Sequence, residues 1–147
     1  MSKLQSAMLL AGFLAFSAAQ GQTAATTDTT PAPRQETAKM SHDAAKADKD
    51  AIEAKYKAEK EACKSSTGNA KDVCEAQAKG KEEVALAEVD YKQSGTDHDR
   101  VKVAEARANA EYDVAKEKCE DMPKDQQEPC KKNAKAKQKS EIAASKK

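Results

Sequence analysis

The sequence predicts an all-α protein, two tandem αα-hairpins each closed by a disulfide, after a signal peptide and a disordered linker. Three observations predict it. Of 147 residues, 35% are charged and 3% aromatic, and 30 of the 56 hydrophobic residues are alanine, so the chain is dominated by strong helix formers. The chain also resembles itself at an offset of 56 residues. Finally, its four cysteines fall as two copies of Cys-x10-Cys, each spanning a turn signal.

The same composition limits what the protein can be. From Gln22 onward Leu, Ile, Val and Phe number only nine: Ile52, Val73, Val84, Leu86, Val89, Val101, Val103, Val114 and Ile142. Fully burying each stabilises by about 1.5 to 3 kcal/mol, which is too little apolar material for a compact globular enzyme of this length.

Residues 1–21 read as a secretory signal peptide. Lys3 precedes an apolar stretch from Ala7 to Phe16, followed by Ser17, Ala18, Ala19, Gln20 and Gly21, the order of basic, apolar and small that marks export. The apolar run falls short of the roughly 20 residues a membrane span needs, and no cysteine precedes Cys63 to carry a lipid. The expectation is a processed chain with no transmembrane segment, periplasmic or secreted. Residues 22–40 hold six threonines with Pro31 and Pro33, a linker composition expected to be disordered.

Residues 41–93 and 97–147 are the two hairpin repeats, with 94–96 as connector. The offset pairs His42 with His98, Asp43 with Asp99, Tyr56 with Tyr112, Cys63 with Cys119 and Cys74 with Cys130, without a gap. Ser41 and Asp97 are placed to cap the first helix of each copy, with Asp43 and Asp99 in the first turn, where the helix dipole favours negative charge. Ile52, Tyr56 and Cys63, and likewise Val101, Ala108, Tyr112, Ala115 and Cys119, follow helical spacing. Turns follow at Lys64–Gly68 and Glu120–Lys124. Asn69 with Asp72 and Asp125 with Glu128 then stand at capping-box spacing, and Pro129 falls in the expected first turn, where a missing amide does least harm. The second helices run to about Lys92 and Ser145, and the last is lysine-rich. Glu53–Lys57, Glu75–Lys79, Glu88–Lys92 and Glu128–Lys132 are spaced to form ion pairs four apart.

In an exported chain four cysteines are most simply two disulfides. Three connectivities are possible. Local pairing, Cys63 with Cys74 and Cys119 with Cys130, is favoured because each pair flanks a turn that sets two helices side by side. The crossed alternative, Cys63 with Cys130 and Cys74 with Cys119, requires both turns at the same end of a bundle. Catalytic thiols would stand two residues apart at a helix start, which these do not.

Other chemistry is sparse. His42 and His98, with Asp43 and Asp99, are the candidate metal ligands, able to hold copper or zinc weakly if the hairpins bring them together, or to act as a pH-sensitive latch. The simpler reading is two solvated first-turn histidines copied by the duplication. Tyr56, Tyr91 and Tyr112 read as packing residues. Gln22 to Cys130 carries a net charge of −6, and Lys131 to Lys147 one of +6. Lys131, Lys132, Lys135, Lys137, Lys139, Lys146 and Lys147 are therefore candidates for an anionic surface, or for the protein's own acidic face. Nucleic acid is disfavoured by export and by the lack of arginine and aromatic residues in that helix.

The stretch Lys60 to Glu88, KEACKSSTGNAKDVCEAQAKGKEEVALAE, resembles a group of small exported, alanine- and lysine-rich proteins of Gram-negative bacteria. In that group a Cys, a turn, Gly-Asn-Ala-Lys-Asp, a second Cys and an alanine-rich helix recur, often twice. The resemblance covers about Ser41 to Ala144. It is close in the first copy, with Gly68 to Cys74 in place, and departs in the second, which has Lys124 to Cys130 instead. The composition is also similar to the helical stalk of TolA, an envelope protein, from which no residue role follows. The resemblance implies a helical envelope protein and no particular site.

The function expected is thus a non-enzymatic periplasmic structural or interaction protein of the cell envelope, with no cofactor. Its partner would be an envelope protein, the cell wall or an anionic lipid surface. The alternatives are a hydrophilic stress-protective or chaperone-like protein, or a weak periplasmic metal binder.

Overall fold

The computed structural model describes residues 39–147. These form four α-helices, α1 (His42–Cys63), α2 (Asn69–Ser94), α3 (Asp97–Cys119) and α4 (Lys124–Ser145). The signal peptide, and the linker up to residue 38, lie outside the described residues. Met40, at the end of the expected linker, is held: its amide donates to the Lys92 carbonyl at 3.1 Å, tying the entry of α1 to the end of α2.

Successive helices run antiparallel, and α1 packs on α2, α2 on α3 and α3 on α4. No other pair of helices touches, so the four form an open row in which α1 and α4 each have one neighbour. The two hairpins therefore pack side by side through α2 and α3. Their closest approach is at Gly80 and Ala110, where a Cβ added to Gly80 would lie 2.6 Å from that of Ala110. Gly80 is buried, and only the absence of its side chain permits this separation.

Disulfides join Cys63 to Cys74 and Cys119 to Cys130, with Cα–Cα separations of 5.6 and 5.8 Å. Both turns lie at the same end of the row, since the Asn69 side-chain amide at the start of α2 donates to the Glu117 carbonyl at the end of α3 at 2.8 Å. The geometric condition for crossed pairing is therefore met, and pairing is nonetheless local.

The buried apolar residues are Ala45, Cys63, Ala78, Val89, Val103, Ala108 and Cys119. Of the nine aliphatic residues only Val89 and Val103 are fully buried; the other seven are half-exposed. Every member of the two expected helical stripes is buried or half-buried. The repeat holds at the level of contacts. Lys49 pairs with Asp90 across the first hairpin at 2.7 Å, and the residues 56 further on, Glu105 and Lys146, pair across the second at 2.9 Å with the charges exchanged.

Helix starts correct several expectations. Ser41 caps α1, its hydroxyl accepting from the Ala44 amide at 3.2 Å. Thr96, not Asp97, caps α3: it has extended backbone, and its hydroxyl accepts from the Asp99 amide at 3.2 Å. Asp97 is already helical and accepts from Arg100 instead. Gly68, not Asn69, precedes α2, with a φ of +57° that favours glycine; this frees Asn69 for its bond to α3. Pro123, not Asp125, precedes α4, so Pro129 lies in the second turn and withholds an intrahelical amide there. At the other end of α2 the helix extends through Ser94, shortening the connector to Gly95 and Thr96. Gly95, at a φ of +65°, closes α2 with its amide on the Tyr91 carbonyl at 2.7 Å.

Of the four expected intrahelical ion pairs only Glu53–Lys57 forms, at 2.6 Å. Lys79 turns to Glu83, Glu88 reaches across to Arg107 on α3 at 2.6 Å, and Glu128 takes Lys131. Other partners in reach, an i,i+4 glutamate for Lys79, an i,i+3 lysine for Glu128 and an arginine of the neighbouring helix for Glu88, take these side chains because such pairs are all weak at the surface.

Candidate functional site

The disulfide end is the most tightly fastened part of the row. Cys63 and Cys119 are 1% and 0% exposed. Beyond them the turns repeat the same hydrogen bonds: the amides of Lys64, Ser65 and Ser66 donate to the carbonyls of Glu61, Ala62 and Cys63, and those of Glu120, Asp121 and Met122 to Glu117, Lys118 and Cys119. The Gln127 side-chain amide adds bonds to the carbonyls of Glu120 and Met122, at 3.1 and 3.0 Å. The two cysteine pairs thus lock the helix spacing.

At the opposite end stand the candidate metal ligands. The side chains of His42 and His98 are 85% and 75% exposed, 4.0 Å from Asp43 and 3.4 Å from Asp99 respectively. They belong to α1 and α3, which do not touch and have α2 between them. Among the described residues no group of three or more His, Cys, Asp or Glu is arranged to hold a metal ion. Asp99 is engaged elsewhere, with Thr96 at 3.0 Å and Lys102 at 3.0 Å. Hydrogen bonds from Ser94, Lys102 and Thr96 hold its carboxyl well below the usual carboxylate range.

The structure divides the seven candidate lysines of α4. Lys137 pairs with Glu111 at 2.5 Å and Lys146 with Glu105 at 2.9 Å, both on α3, and Lys131 with Glu120, just past the end of α3, at 2.7 Å. Lys135 sits over the Tyr112 ring, 4.6 Å from its centroid. Hydrogen bonds to Glu120 and Glu111 raise the ammonium pKa of Lys131 and Lys137. Much of the basic helix therefore faces the protein's own acidic helix, whereas Lys132, Lys139 and Lys147 make no ion pair among the described residues.

Two open grooves run along the row. One, of about 760 Å³, lies between α2 and α4 over α3 and is lined by Val84, Ala85, Ala108, Tyr112, Val114 and Ala115, among others. The pairs Glu88–Arg107 and Lys137–Glu111 stand on its rim. The other, of about 520 Å³, lies between α1 and α3 over α2, and Tyr56, Asp72, Glu75, Lys79, Asp113 and Lys116 make it largely charged. One groove is thus apolar-floored with a charged rim, and the other is polar. Sequence reasoning missed both, because Val84, Tyr112 and Val114 become neighbours only once α2, α3 and α4 lie in a row. The glycine–alanine contact that sets that row is a weak signal in an alanine-rich chain. Tyr112, expected as a packing residue, is half-buried and lines the apolar groove.

No family model, curated protein or solved structure matches the chain.

Proposed function

We propose that the protein is a non-enzymatic structural or interaction module of the cell envelope, working in the periplasm or outside the cell. The observation that carries this reading is the pair of disulfides at one end of a helical row that fully buries only two of its nine large aliphatic residues. Disulfides form and persist in oxidising compartments, and a row with so small a core depends on them. No helix among the described residues is long and apolar enough to cross a membrane, which fits a protein that meets the envelope from its aqueous side.

The contact surface assigned to this role is the groove between α2 and α4. Its floor offers half-exposed apolar side chains and its rim carries ion pairs, so it suits a partner with an apolar face flanked by charge. The Cys119–Cys130 disulfide holds α4, one wall of the groove, to α3 before binding, which reduces the ordering cost of association.

The test is co-sedimentation of the oxidised protein with purified cell wall and with outer membrane. Binding to one of these fractions is expected, weakening as salt screens the rim charges and lost in Val84→Glu. Failure to bind any envelope fraction, or unchanged binding by Val84→Glu, would remove the assignment.

A further inference from the structure

Charge is spread unevenly over the four helices. Helices α1, α2 and α3 each hold six acidic residues, against five, four and five Lys or Arg, whereas α4 holds six lysines against three acids, with Lys146 and Lys147 just beyond it. The one basic helix among the described residues is therefore an edge of the row, with a single neighbour and an outer side open along its length. Of its three acids, Asp125 and Glu128 stand near its start. The third, Glu141, is half-buried and 3.5 Å from Lys137 on the rim of the α2–α4 groove.

The lysines themselves divide by side. Lys131, Lys137 and Lys146 turn toward acids of α3 and of its C-terminal cap. Lys132, Lys135 and Lys139 follow spacings of three and four, so they share another side of α4. All three are exposed, and none makes an ion pair among the described residues. They form a line of about 10 Å at 1.5 Å of rise per residue, and exposed Lys147 follows the helix end. Beside them lie Ala136 and Ala143, also exposed, and the one large aliphatic residue of α4, Ile142, is half-buried. Protein interfaces draw on aromatic, arginine or large apolar anchors, and this side has none. It also has no bulky apolar side chain to sink into hydrocarbon. What it offers is unopposed positive charge on a rigid line, which fits a plane of anionic headgroups met from the water.

We propose that the outer side of α4, through Lys132, Lys135 and Lys139 with Lys147 beyond them, rests on the headgroups of an anionic phospholipid bilayer without entering its hydrocarbon. The excess of acid in the other three helices keeps them off the same surface, so the row stands on its α4 edge. Each lysine near such a surface strengthens binding about fivefold, so four reach half-binding at roughly millimolar lipid. That is too weak to retain the protein on a dilute membrane fraction by itself. The edge adds to the contact made by the α2–α4 groove and does not replace it. Because bare lipid carries no partner for the groove, this inference stands or falls apart from that assignment.

Partition of the oxidised protein onto vesicles at low ionic strength tests it, with phosphatidylglycerol and phosphatidylcholine in equal amounts and with phosphatidylcholine alone. Binding is expected to the mixed vesicles only, half-complete at about millimolar lipid, and lost as salt rises to about 0.5 M. Lys132→Gln with Lys139→Gln should weaken it about 25-fold. Both side chains are exposed, and glutamine keeps the helix propensity of lysine, so the fold is unaffected. Lys46→Gln with Lys57→Gln removes the same charge from exposed positions of α1, at the opposite edge, and should change binding less than about twofold. Free glycerol phosphate at a matching phosphate concentration should not compete, since it engages one lysine at a time. No binding to the mixed vesicles, equal binding to phosphatidylcholine, equal losses in the two double variants, or competition by glycerol phosphate would overturn the proposal.

Discussion

Gly80 shows how a single atom sets the spacing of the row. Alanine in a helix interior is favoured over glycine by about 1 kcal/mol, so Gly80→Ala would stabilise an isolated α2. Here the new methyl would meet the Ala110 Cβ, which has no rotamer to escape into, and overpacking of this kind costs roughly 1 to 3 kcal/mol. We expect a net loss of about 1 kcal/mol in denaturant midpoints, recovered in part by adding Ala110→Gly; a stabilised single variant would show that the helices are not in contact there. Asp99 supplies a pH-dependent effect. Its carboxyl is held below its unfolded value by Ser94, Lys102 and Thr96. Its contribution is therefore complete above the unfolded aspartate pKa, about 3.9, and is lost as pH falls toward the lower folded value. Asp99→Asn should lower the thermal midpoint at about pH 7 and lower it by clearly less at about pH 2, where part of the contribution has already been lost. An equal deficit at both would assign the effect to lost hydrogen bonding alone. Residues of this kind mark how far the sequence was legible. Ser41 was readable as a cap because it alone precedes the helical pattern with a hydroxyl. Thr96 and Asp97 are both good caps, and local spacing does not choose between them; Ser94 and Lys102, which converge on Asp99, settle it only in the fold.

Elements were more legible than caps. Four helices, two turns and local pairing follow from the cysteine spacing and the offset of 56, because a turn with a cysteine on each side leaves little freedom in a helical chain. What the pattern did not reveal is the packing of α2 on α3, which rests on Gly80, Ala110, Asn69 and the pair Glu88–Arg107. None of these stands out in a chain full of alanine and charge. The open row has a consequence for stability, since α1 and α4 each rest on one neighbour. Closing a loop of about twelve residues with a disulfide stabilises by roughly 3 kcal/mol. Replacing Cys63 and Cys74 together by serine should therefore release chiefly α1, and replacing Cys119 and Cys130 chiefly α4, while α2 and α3 retain each other. Amide hydrogen exchange reads this directly: faster exchange confined to the freed edge helix is expected, and uniform exchange along the chain would mean that the row melts as one unit. Reduction of both disulfides should in turn lower the far-ultraviolet helical signal. A signal that is weak and unaffected by reductant would instead favour a partly folded stress-protective polypeptide.

At the scale of the whole molecule, duplication made a row of helices from one hairpin, and the disulfides allow it to stand with a core of little more than alanine, two valines and two cystines. The acidic body and basic terminal helix, which nearly cancel in net charge, are not separate regions: Lys131, Lys137 and Lys146 fasten α4 to α3. Surface pairs of this kind are individually weak and screened by salt, so the fold cannot rest on them, and the cystines carry the claim. The chain is a disulfide-pinned helical module, and we propose that it works in an oxidising compartment outside the cytoplasm. The most direct test is to quench thiols by alkylation in intact cells that make the protein, and to map its cysteine peptides without reduction. The account predicts no alkylated cysteine and two linked peptides, Cys63 with Cys74 and Cys119 with Cys130. Alkylated cysteines, or Cys63 linked to Cys130 and Cys74 to Cys119, would contradict it.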